Sequence, residues 1–547
     1  MQNDSFKLKM GVPVSAVLVL AAAFLFGCQQ QDAHEKMFSR ERFTQVPALP
    51  LPEGKPAEEG AVTPASFLFA DPNGGEVGLS LEQCRAMALQ NNLGLKAELI
   101  GPQISEAAVR AEEAKFEAAF FTNASYGKTD SPTASRLSGS KVDAGSVSTG
   151  VQMPMQTGGE LTFTLADDRV LTNNEFSLLN PAYSNDFSVS ISQPLLRNGG
   201  QRVNLHSIRV AKYDKQIVDA RTKLEVIRVL ADAERVYWRL YAARKVLTVR
   251  QQQYDLAQAQ LERAKRFVDA GTHAPIEILR AEAGLATQLE GIILAENDLR
   301  DRQRELKQTL QQKEFLPDSP MRLRPDTEPD PVRYELDKTA MVKLAEVNRM
   351  ELLEAELQIA RQVSTIDYLR NQALPVVNLD YTYNVNGLGA TRSDSFDLLG
   401  DKKFEDHRVG VQLVVPLGNA AAKNRLMGAF YERAQILANT ESRRSLIELE
   451  VLNAVDRVEA NWQRILAGRQ NTLLQARLYE AELRQFELGL RTSTDVLVVQ
   501  TQLADAQRTE IAALAEYQIS LVDAAYATGT LMGAAKIEFE ANLVLDN

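Results

Sequence analysis

Glu277 and Asp495 each stand six residues beyond a glycine, Gly271 and Gly489, and each precedes an apolar pair, Ile278-Leu279 and Val496-Leu497. A carboxylate near the third position of a new helix, behind Pro275 in one case and Thr492 in the other, accepts free N–H groups of the first turn and offsets the helix dipole. Arg491 adds a cation beside the second of them. This is capping and electrostatic chemistry, not nucleophilic chemistry. The chain has no Gly-x-Ser-x-Gly, no phosphate loop and no His-Glu-x-x-His, and its lone Gly387-x-Gly389 reads as turn chemistry. Four histidines (His34, His206, His273, His407) are scattered, and two cysteines (Cys28, Cys84) are too few for a disulfide framework or a thiolate metal site. No catalytic residue, metal or cofactor is expected. Cys84, on an amphipathic first helix, reads as a small core residue. With 61 Lys and Arg against 72 Asp and Glu, a net charge of -11 argues against nucleic acid as a partner.

The elements that must position these groups occur twice along the 547 residues. Leu81-Glu82 matches Leu336-Asp337, Asn123 and Tyr126 match Asn378 and Tyr381, and Gln193-Pro194-Leu195 matches Val415-Pro416-Leu417. Tyr237-Trp238 matches Asn461-Trp462, and the two glycine turns with their acids follow in the same order. Each copy reads helix, strands, very long helix, helix. Val377, Leu379, Tyr381, Tyr383 and Val385 alternate with polar residues, as do Phe187, Val189 and Ile191 with serines. Period two over roughly ten residues fits a transmembrane strand with one face to lipid and one to water, or a half-buried strand of a soluble sheet. The export signal and the polar residues between favour the first. Within the longer inter-strand region of copy one, Ser146 to Met153 and Glu160 to Leu165 read as a further hairpin, which either joins a barrel or caps it.

No proline or glycine occurs between Asn204 and Ala270, and copy two has a comparable stretch from Asn419 to Leu488. At ~1.5 Å per residue each predicts a helix of ~100 Å, which needs lateral partners because one narrow stripe cannot form a globular core. After the Gly271 turn, Leu285, Leu289, Ile292, Leu299, Leu306 and Leu310 fall on three- and four-residue steps with Glu296 and Gln303 in the gaps, a coiled-coil seam. Pro194 and Pro416 are expected to end strands where the chain turns into helix. The expected division is 1–27 export signal, 28–78 N-terminal periplasmic extension, 79–314 repeat 1, 315–333 linker, 334–532 repeat 2 and 533–547 C-terminal tail.

The export segment is a basic start, Lys7 and Lys9, before a soft run from Val12 to Phe26, too short to span a bilayer as a helix. Leu25-Phe26-Gly27-Cys28 resembles the lipobox of bacterial lipoproteins, with Phe26 departing from the usual small residue. That resemblance implies lipidation of Cys28, and Gln29 after it implies sorting to the outer membrane. An ordinary cleaved signal with a chance cysteine is the alternative.

The duplicated plan, the Gln193-Pro194-Leu195-Leu196-Arg197 corner and the Phe486-x-x-Gly489-x-Arg491-x-x-x-Asp495-Val496-Leu497 turn resemble the TolC-like outer-membrane efflux channels over roughly Leu79 to Gly533. The implied fold is mainly α with transmembrane β. It is a duplicated strand-and-long-helix repeat whose homotrimer forms one β-barrel in outer-membrane lipid, continued by a long periplasmic α-barrel. The linker and C-terminal tail would form a belt around it. The implied strand count is four per protomer; the pattern allows six. The resemblance implies a Gram-negative outer-membrane lipoprotein that conducts small molecules or polypeptides passively, with a periplasmic adaptor and an inner-membrane pump as partners. It also implies an entrance at the periplasmic turns Gly271 and Gly489. There Asp495 matches an acidic ring, Arg491 a constraining arginine and Glu277 an acidic partner in copy one. Phe486 stands where a tyrosine is usual, removing one hydroxyl bond, and Val498 occupies a second acidic position. Arg491 is expected to bond near Glu277 in the closed state. Gate and helix cap both remain open for Asp495 and Glu277. An envelope coiled-coil lipoprotein and a periplasmic adaptor are the rival readings.

Overall fold

A computed structural model describes residues 75–133 and 139–537. The export segment and Cys28 lie outside the described residues, as does the end of the C-terminal tail.

Strand β1 (Glu76–Leu79) leads into three short helices, α1 (Leu81–Asn91), α2 (Leu93–Glu98) and α3 (Gly101–Glu113). Ser80 starts α1 with a complete capping box to Gln83. Four strands follow, β2 (Ala119–Asp130), β3 (Lys141–Pro154), β4 (Glu160–Thr172) and β5 (Ala182–Pro194), then helices α4 (His206–Asp269) and α5 (Ile276–Leu310). After β6 (Arg322–Pro325) come α6 (Lys338–Asn348), α7 (Met350–Gln372), β7 (Val376–Gly389), a short α8 (Arg392–Gly400) and β8 (Glu405–Val414). The described residues finish in α9 (Ala420–Glu487), α10 (Ser493–Ala527) and one further turn at Leu531–Ala534. The long helices have 64 and 68 residues and their followers 35 each. At ~1.5 Å per residue, α4 and α9 are each about 100 Å long.

Strands β2, β3, β4, β5, β7 and β8 form one antiparallel sheet in that order. The hairpin left open by the sequence is therefore β3–β4, inside the sheet and between β2 and β5. Alternation sorts the faces. One rung runs Phe120, Val151, Phe163, Val189, Tyr383 and His407, and the rung beside it runs Ala119, Gln152, Thr162, Ser190, Thr382 and Arg408. The first face is thus mostly apolar and aromatic and the second mostly polar, the arrangement of a sheet between lipid and water. The Gly387-x-Gly389 pair is not a turn but the end of β7. A Cβ at Gly387 would lie 2.2 Å from the Ser395 carbonyl oxygen, and one at Gly389 2.5 Å from the Ser395 nitrogen, so the glycines admit α8 against the strand.

Pro194 ends β5 and Pro416 lies just beyond β8, each before a corner with left-handed backbone: Asn198 and Gly200 in the first, Gly418 and Asn419 in the second.

On the seam of α5, Ile292, Leu306 and Leu310 are buried, and Glu296 and Gln303 are buried with them. Burial pushes the Glu296 carboxyl up, against the pull of Arg300 and Arg322. The main core gathers Leu230, Tyr237, Trp238 and Leu240 of α4 against Leu306 and Leu310 of α5, Cys84 of α1, Leu79 and Leu323. Cys84 is fully buried, as expected, and burial pushes its thiol up to about 12. Strand β6 of the linker pairs in parallel with β1, and the Tyr237 hydroxyl ties both to α4, donating to the Leu79 carbonyl (3.0 Å) and accepting from Thr327 N–H (2.9 Å). A second core packs Val451, Val455 and Val458 of α9 with Ala513 and Tyr517 of α10 and Leu352 of α7; Trp462 stacks obliquely on Tyr517.

Candidate functional site

Helices α4 and α9 end in the same way. Gly271 and Gly489 both adopt φ +73, a conformation that side chains with a Cβ resist. Gly271 N–H donates to Val268 and Thr272 N–H to Phe267, while Gly489 N–H donates to Phe486 and Leu490 N–H to Gln485. Each set is a Schellman motif, which closes the last helical carbonyls and reverses the chain.

Three rings fill the space between the two turns. His273 stacks on Phe267 with centroids 4.8 Å apart, and Phe486 meets Phe267 edge-on at 6.0 Å and His273 at 5.3 Å. Phe486 is completely buried. Its place in the tip is an apolar anchor between the two halves, so what the position contributes is packing, whatever a hydroxyl would have added.

The two acids diverge. In the second turn Thr492 is a helix N-cap: its N–H and its hydroxyl both donate to Asp495 Oδ2 at 2.9 Å, and Asp495 N–H donates to Thr492 Oγ1 at 3.3 Å. These bonds, with Arg491 and Arg280 nearby, hold the Asp495 carboxyl below the usual range. In the first turn Ala274 stands where Thr492 stands in the second, and Glu277 finds no local box. Glu277 Oε2 instead accepts the N–H of Ser493, the first residue of α10, at 2.8 Å, and Oε1 accepts from Arg280 at 2.6 Å. Glu277 is 6% exposed. Burial alone would raise its carboxyl, but the Ser493 N–H and Arg280 outweigh it and the net direction is down. A carboxylate from one half therefore caps the helix of the other.

Arg491 does not meet Glu277. It reaches back along its own hairpin, donating to Gln485 (3.1 Å) and pairing with Glu482 (3.2 Å). The Schellman reversal leaves it folded over the end of α9, while Arg280, one turn along α5, already holds Glu277. Beside this cluster Gly284 lets α5 approach α10: a Cβ there would lie 2.5 Å from the Leu497 side chain. Val498 is exposed on the same groove.

Glu277, Phe486 and Ser493 are thus brought together across the halves, while Asp495 and Arg491 make contacts within the second. Sequence reasoning missed Ser493, Arg280, Phe267 and His273. His273 had a signal, because it occupies the place in its turn that Arg491 occupies in the other, two residues past the glycine.

The sequence matches the family described as outer membrane efflux protein over residues 85–311 and 341–530. It is 24% identical over 292 residues to outer membrane protein TolC of Vibrio cholerae serotype O1, covering 52% of this chain and 64% of that protein. It is 22% identical over 333 residues to outer membrane protein TolC of Salmonella enteritidis, covering 58% and 64%. The chain thus spans just under two thirds of the curated relatives it matches. In fold it is similar to the outer-membrane channel OprN (TM-score 0.61, 15% identity, 82% of this chain and 90% of that one). It is similar to CusC as well (TM-score 0.60, 14% identity, 89% and 98%) and to the open state of Neisseria gonorrhoeae MtrE (0.58, 14%, 82% and 89%). On the extent of the family match, this chain belongs to the outer membrane efflux protein family, proteins of the Gram-negative outer membrane that reach into the periplasm.

Proposed function

We propose that the chain is the outer-membrane channel of a tripartite efflux or type I secretion system. As a homotrimer it would conduct small molecules or polypeptides passively, without catalysis, from the periplasm to the outside. A periplasmic adaptor and an inner-membrane pump would be its partners. Two matching halves, 79–314 and 334–532, would supply the strands and the α-barrel, the linker 315–333 the belt, and Cys28 a lipid anchor. The observation that carries this reading is the union in one chain of a lipid-and-water sheet with two pairs of helices, 64 with 35 and 68 with 35 residues, that end in interlocked glycine turns. Such a sheet needs closure in a bilayer, and such helices need lateral partners. In this role the tip of Glu277, Asp495, Arg491 and Phe486 is the entrance that restricts passage. Its Asp495 carboxylates, repeated around an axis, would concentrate cations within a Debye length of ~8–10 Å.

The test is native mass and planar-bilayer recording on protein extracted from outer membranes. A heat-sensitive, cation-selective trimer is expected. A soluble monomer or dimer without conductance would sink the channel and return the adaptor or scaffold reading. In the same preparation, Cys28→Ala should lose lipid labelling; unchanged labelling removes the anchor.

A further inference from the structure

Helices α4 and α10 meet across the two halves, and the character of their joint changes along its length. High on the pair, Leu230, Tyr237 and Trp238 of α4 share one apolar core with Ile519 and Val522 of α10. Toward the glycine turns the joint is built of amides and small residues. Gln253 and Gln260 stand seven residues apart on α4, as do Ser493, Gln500 and Gln507 on α10. Ala257 and Ala264, three residues before Gln260 and four after it, are buried with it. The main-chain carbonyl of Gln253 accepts from Gln500 Nε2 at 2.8 Å, and Gln253 Nε2 donates to Gln507 at 3.4 Å. The helices run in opposite directions. One heptad nearer the turns, the same register therefore sets Gln260 between Ser493 and Gln500.

These layers are closed to solvent but not satisfied. Gln253, Gln260, Ser493 and Gln500 are each at most 3% exposed. Yet Gln253 Oε1, both polar atoms of the Gln260 amide, Gln500 Oε1 and Ser493 Oγ have no partner among the described residues. They lie within about 15 Å of helix. Left dry, each would shift the closed joint toward opening ~5- to 150-fold, and orphaned buried side-chain groups are rare in native proteins. Three of the five are carbonyl oxygens, which cannot bond to one another. Water donates to both of two facing oxygens and so joins them, and a buried water needs only two to four polar partners.

We propose that ordered water occupies this joint, bridging Gln253 and Gln260 of α4 to Gln500 and Ser493 of α10, and that these four are positioning residues of the entrance. The proposal rests on the channel reading above. The wet seam begins where the Glu277 bridge ends, at Ser493, and stops at Gln507, above which the joint is apolar. Parting it exposes amides and methyl groups that water already reaches. Parting the core around Tyr237 and Trp238 would expose large apolar surface instead. The hydrated stretch therefore fixes how far up the halves separate.

The direct test is a cryo-electron microscopy map of the full chain in lipid nanodiscs, at a resolution that shows water. Water density within hydrogen-bond reach of Gln260 and of Gln500 or Ser493 is expected; a dry seam overturns the proposal. The functional arm is Gln260→Leu, with Gln253→Leu in its place if that chain does not fold. Leucine makes the closed joint apolar, so the frequency of channel opening in planar bilayers should fall about tenfold. Gln260→Asn keeps the amide and should open as the parent does. Gln303→Leu, on the seam of α5 inside the first half, should leave opening unchanged. Opening unaffected by Gln260→Leu, or lowered as much by Gln303→Leu, overturns the positioning role. A parent chain that forms no conducting trimer fails the channel reading itself, while the map still decides the hydration.

Discussion

The turns at Gly271 and Gly489 share one backbone and differ in what their acids hold. Both reverse through a Schellman motif with glycine at φ +73. In the second turn Thr492 engages Asp495, and the acid is spent on its own helix. In the first, Ala274 offers no hydroxyl, and Glu277 crosses to the Ser493 N–H of the other half. The lack of one side-chain hydroxyl separates a local cap from a bridge. A repeated fragment can thus acquire a joint between its copies by losing an interaction, because the freed acceptor seeks the nearest unpaired donor, and a helix N-terminus supplies one.

The comparison breaks most completely at the packing beneath both turns. Phe486→Ala empties a fully buried site between Phe267 and His273, and such truncations cost ~3–5 kcal/mol. It should raise single-channel conductance, admit a large antibiotic normally excluded, and speed protease cleavage at both turns. Phe486→Tyr should do much less. Conductance and drug susceptibility unchanged in Phe486→Ala would place the constriction elsewhere.

Next in size is Glu277→Ala, which leaves the Ser493 N–H, on a residue with no exposed surface, without its acceptor. An orphaned buried donor costs ~1–3 kcal/mol. The converse changes sharpen the contrast. Ala274→Thr should give Glu277 a local partner and draw it from Ser493, opening the tip slightly. Thr492→Ala should free Asp495 and leave the bond from the Ser493 N–H to Glu277 in place. Amide exchange can read this directly: Glu277→Ala and Ala274→Thr should lower protection at Ser493, and equal loss in all three variants would mean the bridge has no separate role.

Acid should act on the same joint. Both carboxyls sit below their usual values of 4.5 for Glu277 and 3.8 for Asp495, so folding lowers their proton affinity. Their stabilisation is complete above the unfolded values and is lost as pH falls through the folded ones. Conductance should therefore rise below about pH 4.5. Glu277→Gln should flatten that rise more than Asp495→Asn, because only Glu277 spans the halves. A rise of the same size in Glu277→Gln would assign it to other groups.

What the sequence disclosed is what repeats locally. Alternation from Val377 to Val385 marked β7, the absence of proline and glycine marked α4, and glycine followed by an acid marked both turns. The β3–β4 hairpin was visible, but its membership of the sheet was not. Gly145, Ser146, Ser148 and Gly150 dilute the apolar period in β3, and pairing to β2 and β5 is decided by register, not by local pattern. The pairing of β1 with β6 and the bond from Glu277 to Ser493 join positions more than two hundred residues apart, beyond any spacing rule. The partner of Arg491 is hidden from the sequence for a related reason: the turn that makes the residue conspicuous also folds it back over Glu482.

The smallest effect is expected at Arg491 itself. Its side chain is 46% exposed and its ion pair with Glu482 lies within one hairpin, so the pair is worth ~0.2–1 kcal/mol and will weaken with salt. Arg491→Ser should raise conductance slightly, less than Glu277→Ala does, and the rise should shrink at high ionic strength. Arg491 and Glu277 share no partner: one is held by Gln485 and Glu482, the other by Ser493 and Arg280. Their effects should therefore add, within ~0.3–0.5 kcal/mol, when Arg491→Ser is combined with Glu277→Gln. A direct lock between the two would behave differently, since once either partner is gone the second change removes nothing further. Strong non-additivity in the double variant, measured as tip opening by conductance, would mean that the closed trimer brings Arg491 onto Glu277 of a neighbouring copy, and would move the bridge from within the chain to the interface between chains.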